Sequence, residues 1–215
     1  MRSLKRVFSV VAIVAALCQT ASLTRSDTPA DSPAFLPDPC FSTVSSASGT
    51  ILVCPAGDGE TLADKGLQIS VTVRDVTNFP IAGIPASDLW LIGCNNNLVL
   101  CGGAGSANAD HATDANGQTT ISGSIAAGGR DQVLVVVQGL VIGCPPTCLA
   151  IDVKSPDQNL DLVVDLADAA LFATGYPPQP YRAESDLDGD GDVDIADYAL
   201  FYEHFYYPGS KHTCF

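Results

Sequence analysis

The sequence predicts a β-sandwich followed by a small α-helical domain built from two acidic loop–helix repeats. Three observations carry that expectation. Short alternating apolar runs, punctuated by Gly, Asn and Pro, fill residues 39–152. Residues 186–194 place acidic side chains at every second position, and Asp197 adds another. A second copy of that pattern lies 29 residues upstream.

The N-terminus comes first in the chain. Arg2, Lys5 and Arg6 precede an apolar run of eleven residues, 7–17, and the small polar residues Gln19, Thr20, Ala21 and Ser22 follow. That order reads as a secretory signal peptide over 1–22, too short to span a bilayer. Leu17 stands where a lipoprotein signal needs a small residue before Cys18. Residues 23–38, rich in Ser, Thr, Asp and Pro, read as a flexible leader. The expected location is secreted, extracellular or at the cell surface, without membrane insertion. A net charge of −14 and a pI near 4.2 exclude nucleic acid and anionic lipid as natural partners.

Residues 39–152 read as the sandwich. Ile69, Val71 and Val73 alternate with polar residues in a half-buried strand over 67–75. Further strands are expected at 49–54, 86–94, 98–101, 118–126 and 132–142, separated by turn signals such as Asn78-Phe79-Pro80, Asp114-Ala115-Asn116-Gly117 and Gly128-Gly129. Such short strands in a domain of this size suggest two packed layers. The stretch from Val73 through Ile84, followed by Thr113-Asp114-Ala115-Asn116-Gly117-Gln118-Thr119, resembles bacterial Ig-like and transthyretin-like surface domains. No nucleophile motif is visible, so the chain is read as no enzyme. His111, between Asp110 and Asp114, reads as a turn residue, and Trp90, between Leu89 and Leu91, as core rather than a sugar platform.

Seven of the eight cysteines lie beyond the signal peptide, which fits disulfides in an oxidising compartment. Cys94 and Cys101 bracket a turn and a returning strand, and Cys144 and Cys148 close a tight loop, so each is expected to pair with the other. Cys40 with Cys54 remains, leaving Cys214 odd. No Cys-x-x-Cys or nearby histidine marks a zinc site.

Residues 186–197 read Asp-Leu-Asp-Gly-Asp-Gly-Asp-Val-Asp-Ile-Ala-Asp, with acids at loop positions 1, 3, 5, 7, 9 and 12 and Gly191 at position 6. Calcium takes six to eight oxygens, and a twelve-residue loop turning on a central glycine supplies them in this order. The candidate ligands are the side chains of Asp186, Asp188, Asp190 and Asp197, the carbonyl of Asp192, and Asp194 directly or through water. Residues 157–168 match this stretch at six of twelve positions. Their equivalents are Asp157, Asn159, Asp161, the carbonyl of Val163, Asp165 and Asp168. Leu162 replaces the glycine, and a left-handed residue bearing a side chain costs about 1–2 kcal/mol. Two Ca2+ sites are therefore expected, the 157–168 site weaker. Short helices should follow, from Leu166 to about Thr174 and from Ile195 to about Phe205, joined by a linker containing Pro177, Pro178 and Pro180.

This duplicated loop-then-helix, with Asp at position 12, resembles the type I dockerin family over residues 155–206. The resemblance implies a dockerin-like calcium-binding domain over 153–206, with residues 207–215 as a C-terminal tail. It also implies a cohesin-like protein domain as partner, commonly in extracellular polysaccharide degradation. Positions 10 and 11, where a cohesin reads polar residues in many dockerins, here hold Leu166-Ala167 and Ile195-Ala196. Such apolar pairs fit a different cohesin type or the chain's own β-domain as partner. The functional expectation is a secreted, non-catalytic calcium-binding adaptor. The alternatives are a structural surface or matrix protein with intramolecularly packed repeats, and a carbohydrate-binding module.

Overall fold

A computed structural model describes residues 36–103 and 107–205. The expected signal peptide, nearly all of the leader, the 207–215 tail, Cys18 and Cys214 lie outside the described residues.

Among the described residues, nine strands form two sheets. Strands β1 (Thr43–Ser45), β3 (Ile69–Thr72) and β6 (Gln118–Ile121) make an antiparallel sheet in the order β1-β3-β6. The second sheet follows the order β2-β9-β7-β4, from β2 (Gly49–Leu52), β9 (Ile151–Lys154), β7 (Ala127–Val137) and β4 (Leu89–Gly93). Strands β5 (Leu98–Leu100) and β8 (Leu140–Val141) also pair with β7. Alternation explains the two layers. Ile69 and Val71 of β3 face inward with Leu89 and Leu91 of β4, Ile121 of β6, and Val133, Val135 and Val137 of β7, in one apolar core. The β-rich, two-layer part of the expectation is present, and β9 carries the sheet past the expected boundary at 152 to Lys154.

Details depart from the expected strands for physical reasons. The expected strand 132–142 is split by Gln138 and Gly139, both at positive φ, which turn β7 back into β8 with Val137 opposite Leu140. β7 instead extends N-terminally to Ala127, through Gly128 and Gly129. Trp90 is half-buried on the face opposite Leu89 and Leu91, so it is no core residue. Residues 86–88 form a short 3-10 turn before β4.

The expected disulfide pairs are replaced by Cys40–Cys144 and Cys94–Cys148. β5 does not return against β4. Both run antiparallel to β7, β4 beside residues 133–137 and β5 beside 127–129, so Cys94 and Cys101 end far apart along one line. Cys94 donates its amide to the Gln132 carbonyl while Leu149 donates to the Val133 carbonyl, which brings Cys94 and Cys148 together across β7. The Gly143 amide similarly reaches the Pro39 carbonyl beside Cys40 and Cys144.

The expected fold of a separate small α-helical domain is corrected. Only two short α-helices occur among the described residues, α1 (Leu166–Ala173) and α2 (Ile195–Glu203). The described residues all fall in one compact unit. Helices of eight and nine residues are marginal alone and gain stability by packing an apolar face. Here Val164, Phe172, Leu187, Val193 and Phe201 share a second core with Leu52 and Cys54 at the end of β2. β9 runs parallel to β2 and leads directly into the first acidic loop, so loop and sheet are one continuous construction.

Candidate metal centre

Both acidic loops are wired alike, and the wiring explains why each helix starts where it does. Asp165 caps α1 by accepting from the Ala167 amide, and Asp168 reaches back to accept from the Asp165 amide. Asp194 and Asp197 repeat that reciprocal cap on α2. Loop positions 9 and 12 therefore serve the helix as well as the loop.

Inside the first loop, Asp157 accepts from the Leu160 and Leu162 amides at 2.9 Å each, and Asp168 accepts from the Gln158 and Asn159 amides. In the second, Asp186 accepts from the Gly189 amide, and Asp197 from the Leu187 and Asp188 amides. The position 5 and 7 amides, Asp161, Val163, Asp190 and Asp192, donate to the carboxylate or amide oxygen two residues earlier. Carboxyl oxygens thus turn inward in each loop. One oxygen from each of Asp157, Asp161 and Asp168 lies within 4.8 Å of the others, and the same holds for Asp186, Asp188 and Asp197. Asp192, Asp194 and Asp197 form a third such group.

These all-oxygen clusters fit a calcium ion in size. Two oxygens on opposite sides of the ion stand about 4.6–5.2 Å apart at Ca–O bonds of 2.3–2.6 Å. Asn159 and Asp190 lie in the same loops, exposed, beside these groups, and Asp165 is half-exposed. Val163 is half-exposed at the position whose carbonyl is the expected ligand.

Both loops turn on a left-handed residue at position 6, Leu162 with φ 65° and Gly191 with φ 101°, so the first loop carries a side chain where the second has none. Position 4 repeats it, with Leu160 at φ 69° against Gly189 at φ 78°. The first loop therefore carries two left-handed leucines, each costing about 1–2 kcal/mol. Two glycines of β7 make room for it. A Cβ on Gly128 would collide with the Asp157 carboxylate, and one on Gly129 with the Leu160 side chain. A Cβ on Gly189 would similarly strike Thr50 of β2.

Electrostatics differ between the loops. Burial, followed by the neighbouring Asp168 charge, pushes the Asp157 carboxyl up to about 6 against the pull of the Leu162 and Leu160 amides. Burial also raises Asp168. In the second loop burial works to raise Asp186, but the Tyr181 hydroxyl, donating at 2.7 Å, and the Lys154 ammonium outweigh it and hold this carboxyl low. Lys154 is buried; its Nζ lies 3.3 Å from Asp186 Oδ1 and donates to the Asp186 carbonyl. Burial raises Asp188, and the Asp190 charge raises Asp192.

Lys154, Tyr181 and Arg182 escaped the sequence reading. Arg182 donates to the Leu171 carbonyl at 3.2 Å and to the Thr174 hydroxyl, closing the end of α1. The one available signal was scarcity: a lysine directly ahead of an acidic loop in a chain with ten basic residues. His111 is exposed, its Nδ1 2.9 Å from the Ala112 carbonyl oxygen.

Leu166, Ala167, Ile195 and Ala196 are all exposed, with Leu166 at 76% and Ile195 at 67%. Tyr198 and Tyr202 are exposed as well, and their rings stack at 6.2 Å. Among the described residues no helix is long and apolar enough to cross a membrane.

No family model matches the chain, and no curated protein sequence matches it. Among solved structures, a crystal structure of the Lin-41 filamin domain is similar over 54% of this chain and 95% of that one, at 16% identity and a TM-score of 0.30. That likeness is too slight to bear on function.

Proposed function

We propose that this chain is a secreted, non-catalytic calcium-binding adaptor. Its two acidic loops take Ca2+, and its exposed apolar pairs attach it to a cohesin-like protein domain. The observation that carries the calcium reading is the parallel wiring of the loops. Each turns three carboxylates toward one point, from a sequence whose order of oxygen donors suits calcium. Without a cation these carboxylates repel one another, and the ion supplies the compensating charge. Asp186, Asp188, Asp190, Asp194 and Asp197 with the Asp192 carbonyl hold one ion. Asp157, Asn159, Asp161, Asp165 and Asp168 with the Val163 carbonyl hold the other, more weakly because of Leu160 and Leu162.

Attachment rests on Leu166, Ala167, Ile195 and Ala196. Apolar side chains left in solvent on an acidic surface are the residues whose desolvation drives binding. Changing Ile195 to Asp and Ala196 to Lys should abolish binding to purified cohesin domains in surface plasmon resonance while calcium stoichiometry is unchanged. Binding that survives the double change would remove these pairs from the contact.

A structural role at the cell surface or in a matrix is the second reading. It is favoured by the opposite face of the repeats, where Phe172 and Phe201 share a core with Leu52 and Cys54. Under that reading the same double change leaves every partner interaction untouched.

A further inference from the structure

Cys54, Asp58 and His204 meet at the seam between the sandwich and α2, with one ligand atom from each within 4.8 Å of the other two. The sequence gives no hint of this, because the histidine lies 150 residues from the cysteine (204 − 54). Local folding assembles it. Cys54 follows β2 and is fully buried. Gly57, at φ 73°, donates its amide to the Cys54 carbonyl at 2.8 Å and turns Asp58 back over the cysteine. His204 caps the C-terminus of α2 and is 7% exposed, carried to the seam by Phe201, which shares a core with Cys54.

Distance and donor type both bear on what could sit there. His204 Nδ1 lies 3.7 Å from Asp58 Oδ1. That is longer than a hydrogen bond and close to the N···O edge of a tetrahedral zinc centre, about 3.3–3.6 Å for Zn–N and Zn–O bonds of 2.0–2.2 Å. A sulfur, an imidazole nitrogen and a carboxylate oxygen form a mixed set that suits zinc and its neighbours, whereas calcium takes oxygen alone.

We propose that Cys54, Asp58 and His204 form a site for a zinc-class transition-metal ion. A fourth ligand completes the tetrahedron. The ion ties the end of α2 to the end of β2, and the thiol proton passes to solvent as the metal binds. The site is independent of the acidic loops, so it stands or falls apart from the calcium reading.

The test uses the full chain with calcium in saturating excess and Co2+ as the spectroscopic probe. The expected result is one equivalent of cobalt giving a thiolate-to-metal charge-transfer band, displaced by one equivalent of Zn2+. Cys54→Ser abolishes the band. Because Cys54 is buried, Asp58→Asn and His204→Gln serve as independent variants. Groups that merely orient a ligand cost about 10- to 100-fold in metal affinity when lost, so each variant should weaken cobalt binding by at least about tenfold. A parent without the band, a band that persists in Cys54→Ser, or unchanged affinity in both Asp58→Asn and His204→Gln overturns the proposal.

Discussion

Replacing Lys154 with Met removes the one cation that, among the described residues, is buried against the second acidic loop. Lys154 Nζ and Asp186 Oδ1 stand 3.3 Å apart, with side chains that are each 3% exposed. At an effective dielectric constant of about 20 the attraction between unit charges at that distance is about 5 kcal/mol. Met keeps the length and apolar stem of lysine, so the packing of that stem survives, and what goes is the charge with its hydrogen bond to the Asp186 carbonyl. Removing one member of a buried pair typically costs about 3–5 kcal/mol, because the other charge is left uncompensated. In a unit of this size that lowers the melting temperature by on the order of 10 °C in chelator. The proposed calcium ion would supply the missing positive charge at Asp186, so the loss should shrink when calcium is added, and calcium should bind the variant more tightly than the parent. Thermal melts of parent and variant, in chelator and in millimolar calcium, read both effects. A loss below about 1 kcal/mol in chelator would refute the electrostatic role assigned to Lys154. An equal loss in both conditions would refute its coupling to the loop.

Three further outcomes follow from the same structure. Non-reducing peptide mapping should recover Cys40 linked to Cys144 and Cys94 linked to Cys148, and a Cys94–Cys101 peptide would contradict the strand order around β7. Cys94→Ser with Cys148→Ser should cost about 4 kcal/mol in denaturant unfolding, from the loop-closure entropy of a crosslink spanning 54 residues. Asp75 gives a pH dependence: the Thr77 hydroxyl and then the Phe79 amide hold its carboxyl below the usual range. A depressed folded value means a contribution present above the unfolded value and lost as pH falls through the folded one. The stability difference between parent and Asp75→Asn should therefore be constant at neutral pH and close in acid below about pH 4. A gap that widens in acid would reverse the sign.

The strands were legible where one face is buried and the other wet, as in Ile69–Thr72, because a period of two survives in the sequence. The helix starts at Leu166 and Ile195 were legible for the same local reason, since Asp165 with Asp168 and Asp194 with Asp197 are capping pairs three residues apart. What the sequence hid were relations between distant segments. Cys94 looked like a partner for Cys101 because the chain between them contains a turn, yet β7 lines up β4 and β5 end to end and hands Cys94 to Cys148. The repeats looked like a free-standing helical domain because their own pattern is complete. That Leu52 and Cys54 complete their core is a property of β2 lying beside β9, and no local signal announces it. Lys154 was hidden in the same way: its role depends on Asp186, 32 residues on.

Calcium titration calorimetry of the full chain measures directly whether the two acidic loops are calcium sites of unequal strength. Two ions per chain are expected. Asp186→Ala should abolish the tighter event, and Asp157→Ala the weaker one, because Leu160 and Leu162 occupy left-handed positions that Gly189 and Gly191 take in the second loop. A parent chain that releases no heat and binds no calcium would contradict the account outright, and two variants losing affinity equally would contradict the ranking.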